Sequence, residues 1–291
     1  MPTDRATRDL DDELAGLDAL ELAALRPESA ARRLWRTAWP KAAAVVIAIV
    51  LWQVVVWSHW KPPYALAPPA DALRSLWDLT ADGTLTKALV ITLRRAAIGF
   101  GIATVVGVAL GSVVARVKPV RTAFGSLITG IQTMPSIAWF PLAILLFRLS
   151  EQAILFVVVL GAAPAIANGL ISGADHIPPN LLRAAKTLGA RGFAAYRYVI
   201  LPASLPASVG GLKQGWAFAW RSLMAGELLV VIPRQPSIGF LLQVNRELAD
   251  AAGLIATMIV ILVIGIAVDA LVFGTLDRAI RRRWGLLDVP R

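Results

Sequence analysis

Two ionisable side chains, Arg221 and Glu227, sit deep in an apolar stretch, and Lys213 precedes them. A charge inside a bilayer is costly, so such residues are candidates for a substrate or ion path. Arg221 and Glu227 are six positions apart and do not meet on one helix. Two readings of Arg221 stand side by side. It can line a water-filled path and favour an anion, or it can pair with a polar group on a neighbouring helix or snorkel to an interface. Trp139, Trp216 and Trp220 can narrow such a path or simply pack. The candidate path is therefore Trp139, Trp220, Arg221 and Glu227. Arg94 and Arg95 read as interfacial anchors at the outer end of a span, and Asp269 as an interfacial residue near the opposite side.

No reaction centre accompanies these charges. The sequence holds no GxxxxGK[ST] phosphate loop, no HExxH, no GxSxG and no plausible carboxylate pair. It has no cysteine, and its two histidines, His59 and His176, lie far apart at span edges. Neither a metal centre nor a cofactor is expected. The glycine-rich run GFGIATVVG lacks the strand–turn–helix setting of a dinucleotide site and reads as helix packing. An integral membrane protein without a reaction centre is most simply a transport or anchoring subunit, and no enzyme activity is expected of it.

The elements that hold these residues follow from composition. Of 291 residues, 57% are hydrophobic and only 16% are charged, well below the roughly 25% charged residues of soluble domains. The apolar residues gather in runs of spanning length, which predicts an all-α, polytopic membrane protein with about six transmembrane helices. The spans are expected near 42–57, 96–115, 128–147, 153–171, 205–231 and 252–273. The first is too late to be a cleavable signal. Gly107 and Gly111, four apart, predict close helix packing in the second. Gln132, Pro135 and Pro141 interrupt the third. A short helix over 73–79 lies in a connection, and 240–242 reads as a loop dipping toward the membrane surface.

The expected order is an acidic tail and basic collar over 1–41, with a possible short helix in its first 28 residues. A first anchor covers 42–60 and an extracytoplasmic connection 61–87. A membrane core covers 88–276 and a basic tail 277–291. Net charge is +10. The basic residues concentrate at 32–41, 116–121, 183–197 and 278–283, which places those ends and both termini in the cytoplasm of a bacterial cell.

Residues 178–206 form a basic island inside the core. Pro178 and Pro179 suit a first helical turn and Asn180 an N-cap. Leu181, Ala184, Ala185 and Leu188 share one face. Gly189 suits a left-handed stop. A second short helix over 192–200 presents Phe193, Tyr196 and Ile200, after which Pro202 breaks the chain direction. The result is a cytoplasmic helix–turn–helix elbow, too short and charged to span a bilayer.

This elbow resembles the EAA loop of ABC importer permeases: EAA, three residues, Gly, nine residues, then I-x-L-P. Ala184, Ala185, Gly189, Leu201 and Pro202 fall on that spacing, with Val199 in the isoleucine place. The stretches PSIAWFPLAILLF and AWRSLMAGELL look like the nitrate, sulfonate and taurine subgroup, nearest to aliphatic-sulfonate permeases. The resemblance implies two permease copies around one path and elbows docked on cytoplasmic ATPase subunits. It also implies a separate extracytoplasmic binding protein and a small anion as cargo. The coupling residues it marks are Leu181, Arg183, Ala184, Ala185, Leu188, Gly189, Leu201 and Pro202. One departure is Arg183, which stands where the family has glutamate and reverses the charge. The competing expectations are an ion-gradient-driven secondary transporter, which Glu227 and Asp269 would serve, and a non-transporting scaffold.

Overall fold

The structure is a computed structural model that describes residues 30–283. The acidic tail and the last residues of the basic tail lie outside that range. The regular structure of the described residues is all helical, with no strand. The chain divides into two units, residues 1–60 and 61–291. In the first, α1 (Ala30–Trp57) carries the apolar span Ala38–Trp57, none of which is buried.

The second unit is built on three long helices: α3 (Thr84–Arg116), α6 (Glu151–Asp175) and α9 (Leu201–Leu229). Helix α6 lies between the other two. Its contacts are made where side chains are absent. A methyl added at Gly107 would sit 2.7 Å from the Ala163 carbonyl oxygen, and one at Gly111 would sit 2.9 Å from that of Ala167. Gly211 of α9 meets Gly169 of α6 so closely that a methyl there would sit 2.5 Å from the Gly169 Cα. In lipid, where apolar burial gives little drive, such close backbone contact is what holds helices together. Phe100, Trp216 and Phe273 close the core with edge-on and tilted ring contacts at 5.4–6.3 Å.

Among the described residues, four helices are long and apolar enough to cross a membrane: Ala38–Trp57, Thr84–Arg116, Glu151–Asp175 and Ala251–Arg283. The last is continuous through α11 (Ala251–Val268), a π-helical segment Asp269–Phe273 and α12 (Gly274–Arg283). Helix α9 is 29 residues long, but Lys213, Arg221 and Glu227 dilute its apolar character.

Several sequence expectations are refined or change. The third span is interrupted at its prolines as expected, and the interruption is a sharp bend. Helix α4 (Lys118–Thr133) stops before Pro135, a 3₁₀ turn Ser136–Trp139 follows, and α5 (Phe140–Phe147) leaves at 101°. Prolines remove the backbone donors that would have carried the helix through. The 240–242 stretch is not a surface loop but part of α10 (Ile238–Glu247). Its Ile238 and Leu241 pack with Leu85, Ala88 and Val260. Helix α2 (Pro69–Ala81) begins earlier than expected and starts on its prolines.

The elbow comprises α7 (Pro179–Thr187), then α8 (Gly192–Ala195) and a π-helical segment Tyr196–Ile200. Gly189 has φ +84°, and the Ala190 N–H donates to the Ala185 carbonyl at 2.9 Å, a left-handed helix stop of the kind glycine favours. Pro178 rather than Asn180 is the N-cap. Pro202 does not break the chain: it lies in the first turn of α9, which continues directly from the π segment. The wider π winding just before it lets the helix run on past a residue that has no N–H to return to the preceding turn.

Candidate functional site

Helix α9 presents a polar stripe. Gly210, Lys213, Gln214, Ala217 and Arg221 recur at helical spacing on one face, and all but Ala217 are exposed. Lys213 Nζ lies 3.0 Å from Asp269 Oδ1, with both side chains about half exposed (55% and 45%). Arg221 has no carboxylate partner among the described residues. Its guanidinium stands 5.2 Å from the centroid of the Phe218 ring.

Two cavities meet at Arg221. One, of about 460 Å³, is lined by Lys213, Gln214, Trp216, Trp220, Arg221 and Asp269. The other, of about 330 Å³, joins Arg221 and Phe218 to the broken turn at Met134, Pro135 and Ser136. Side chains brace that turn: Ser222 Oγ lies 2.7 Å from Ser136 Oγ, and just before the turn Asn168 Nδ2 donates to Gln132 Oε1 of α4 at 2.7 Å. Backbone outside a helix is tolerated at membrane depth only where it is covered by protein or lines a wet cavity.

Glu227 is in a different place. It is 1% exposed and meets no cavity wall that Arg221 shares. Thr92 Oγ1 donates to its carboxylate at 2.8 and 3.1 Å, Arg95 Nη1 at 3.1 Å, and the Gly239 N–H at 3.1 Å. Arg95, itself 2% exposed, also donates to Gln235 at 2.7 Å and to Glu151 at 3.3 Å. The Ile238 N–H donates to Thr92 Oγ1 at 3.0 Å. Thr92 and Glu227 thus satisfy the first free donors of α10, and the carboxylate sits at the positive end of that helix.

This corrects one sequence reading. Arg95 is not an interfacial anchor but one half of a buried ion pair; Arg94 beside it is exposed and pairs with Glu151 at 3.0 Å. Thr92 and Gln235 were not singled out by the sequence at all. Of the candidate path residues, Trp220 is 8% exposed and stacks on Trp216 with centroids 5.9 Å apart. Trp139 is half-buried against the same core, so both tryptophans pack, and Trp220 keeps one edge on the cavity.

At the elbow, the expected coupling face divides. Leu181 is 44% and Leu188 88% exposed, while Ala185 is 7% exposed and packs inward. Ala184, Arg183 and Gly189 are exposed; Leu201 and Pro202 are half-buried. Tyr196 ties the elbow to the end of α3: its hydroxyl donates to Ser112 at 2.7 Å, and the Arg116 guanidinium sits 3.4 Å above its ring.

The family of binding-protein-dependent transport system inner membrane components matches residues 103–282. The chain belongs to that family. It is an ABC importer permease subunit, and ATP hydrolysis resides in a separate subunit. The family works with ATPase subunits and a substrate-binding protein. An ion-gradient-driven carrier is thereby set aside. The permease is 28% identical to the taurine transport system permease protein TauC of Escherichia coli, over 87% of this chain and 93% of that one. It is 27% identical to the nitrate import permease protein NrtB of Leptolyngbya laminosa, over 81% and 86%. It is 28% identical to an aliphatic sulfonates transport permease protein of Escherichia coli, over 76% and 83%. In fold it is similar to a chain of the MetNI methionine ABC transporter in inward-facing conformations. The TM-score there is 0.59 at 17% identity, over 67% of this chain and 95% of that one.

Proposed function

We propose that the permease carries a small anion of the alkanesulfonate, taurine and nitrate class along a path lined by Arg221. The observation that carries this reading is a guanidinium without a counter-ion, set between two cavities beside a broken helix. A cation held this way leaves its charge for a ligand, and an arginine fork suits a planar or tetrahedral oxyanion. The names of the relatives support the same class. Two copies of the chain form the path. The basic ends and the elbow face the cytoplasm, and the elbow docks on the ATPase through Leu181, Ala184 and Leu188.

The test is uptake of labelled ethanesulfonate, taurine and nitrate by the complete transporter in proteoliposomes. Arg221→Gln is expected to lower uptake of the transported anion by about tenfold or more, the worth of a charge-assisted hydrogen bond, and Arg221→Lys by less. Undiminished uptake in Arg221→Gln, or transport of none of the three anions, overturns the reading.

The docking surface gives a second expectation. Leu188→Glu places a carboxylate at an exposed position, so the fold is undisturbed. Co-purification of the ATPase subunit with the variant is expected to fall sharply, while its melting temperature in detergent stays that of the parent. Equal recovery of ATPase would remove Leu188 from the contact.

A further inference from the structure

We propose that Lys213 is a second anion station on this path, paired at rest with Asp269, and that Asp269 drives release by reclaiming Lys213. This rests on the reading of Arg221 as path-lining. Lys213 and Arg221 stand on one face of α9, two turns and roughly 12 Å apart, and line one cavity of about 460 Å³. The two cations differ in one respect. Among the described residues Arg221 has no carboxylate beside it, whereas Lys213 is countered at 3.0 Å.

That asymmetry gives the path a direction. An anion at Arg221 meets an uncompensated positive charge. To reach Lys213, nearer the elbow, it must displace a carboxylate that competes for the same ammonium. The pair is half exposed on both sides, so it exchanges partners at little cost. Asp269 is also on a different element from Lys213. It opens the π-helical segment Asp269–Phe273, and such segments occur where helices are adapted for function. Gln214, the exposed neighbour of Lys213 on the same cavity, supplies an uncharged amide to the anion in transit.

The competing explanation is a clip that merely joins α9 to the last span. The two make different predictions. The chain has no cysteine, so Gln214→Cys creates one reporter thiol per permease copy, and labelling of the permease chain in the complete transporter is what is measured. Its rate of modification by the anionic sulfonatoethyl methanethiosulfonate is compared with that by the cationic trimethylammonioethyl reagent. Asp269→Asn is expected to raise the anion-to-cation rate ratio by about threefold or more, and Lys213→Gln to lower it by a similar factor. In ethanesulfonate uptake, Asp269→Asn is expected to lower KM and turnover together, because the anion binds better and leaves more slowly. Asp269→Glu restores both. A clip shifts the thiol rate ratio through the same local charges but lowers turnover at unchanged KM, so KM separates the two.

Unmoved rate ratios in both variants, or an unmoved KM in Asp269→Asn, overturn the inference. If that happens while Arg221→Gln still abolishes uptake, only the second station fails. If the rate ratios and the KM of Asp269→Asn shift as expected while Arg221→Gln transports normally, the station stands and the assignment of Arg221 fails.

Discussion

Glu227→Ala is expected to destabilise the permease by about 3–5 kcal/mol, the cost of removing one partner from a buried ion pair. The carboxylate accepts from Thr92, Arg95 and the Gly239 N–H. Without it, the Arg95 guanidinium stays buried with one strong neutral acceptor, Gln235, and a longer contact to Glu151. The N-terminus of α10 also loses an anion that complements its free donors. Glu227→Gln keeps the shape and loses the charge, so it should fall between parent and Ala. The double variant Arg95→Met, Glu227→Leu removes both charges and is expected to melt above either single variant. Thermal unfolding in detergent gives the ranking. A double variant that melts below both singles would show that the network's hydrogen bonds, not its charge balance, hold these helices.

Gly211→Leu is the second large expectation. A Cβ at Gly211 would sit 2.5 Å from the Gly169 Cα. The obstruction is backbone, which cannot rotate away as a side chain can. Overpacking in a core costs about 1–3 kcal/mol where neighbours can yield. Here α6 and α9 must separate along a contact lined by glycine, so folded, monodisperse protein should be largely lost. The adjacent Gly210 is the control. A Cβ there meets nothing within 4 Å, so Gly210→Ala should preserve yield and, through helix propensity, add up to about 1 kcal/mol. Equal yields of the two variants would mean that the crossing is not the tight point.

The architecture was largely legible in the sequence because long apolar runs leave few alternatives in a bilayer. The glycine stripe of α3 was legible for the same reason, and it held the one signal that was passed over. Arg95, Gly99, Ala103, Gly107 and Gly111 recur at a strict spacing of four, so Arg95 shares the packed face. Charge alone makes Arg95 an anchor; register makes it a core residue. Its partners Glu227 and Gln235 lie far along the chain, and no local pattern joins them. The third span shows another limit. Pro135 and Pro141 promise a disturbance, but whether it is a kink or a 101° turn depends on Ser222 and Asn168 reaching the turn from other helices. The elbow's turn was readable from Gly189, since a left-handed residue has few substitutes. The inward tilt of Ala185 was not, since alanine fits either side.

From Gly192 to Leu229 the helical path has no loop, only a change of winding at Tyr196–Ile200. Its tightest crossing, Gly211 on Gly169, falls near the middle. Each arm is then roughly 27 Å long. The same two helices also touch on either side of that crossing, at Gly173 beside Ser204 and at Gly161 beside Ser222, so α9 and α6 are held together along most of their length. A strut built this way would carry a push on the elbow through to the Glu227 end with no joint inside α9 to absorb it.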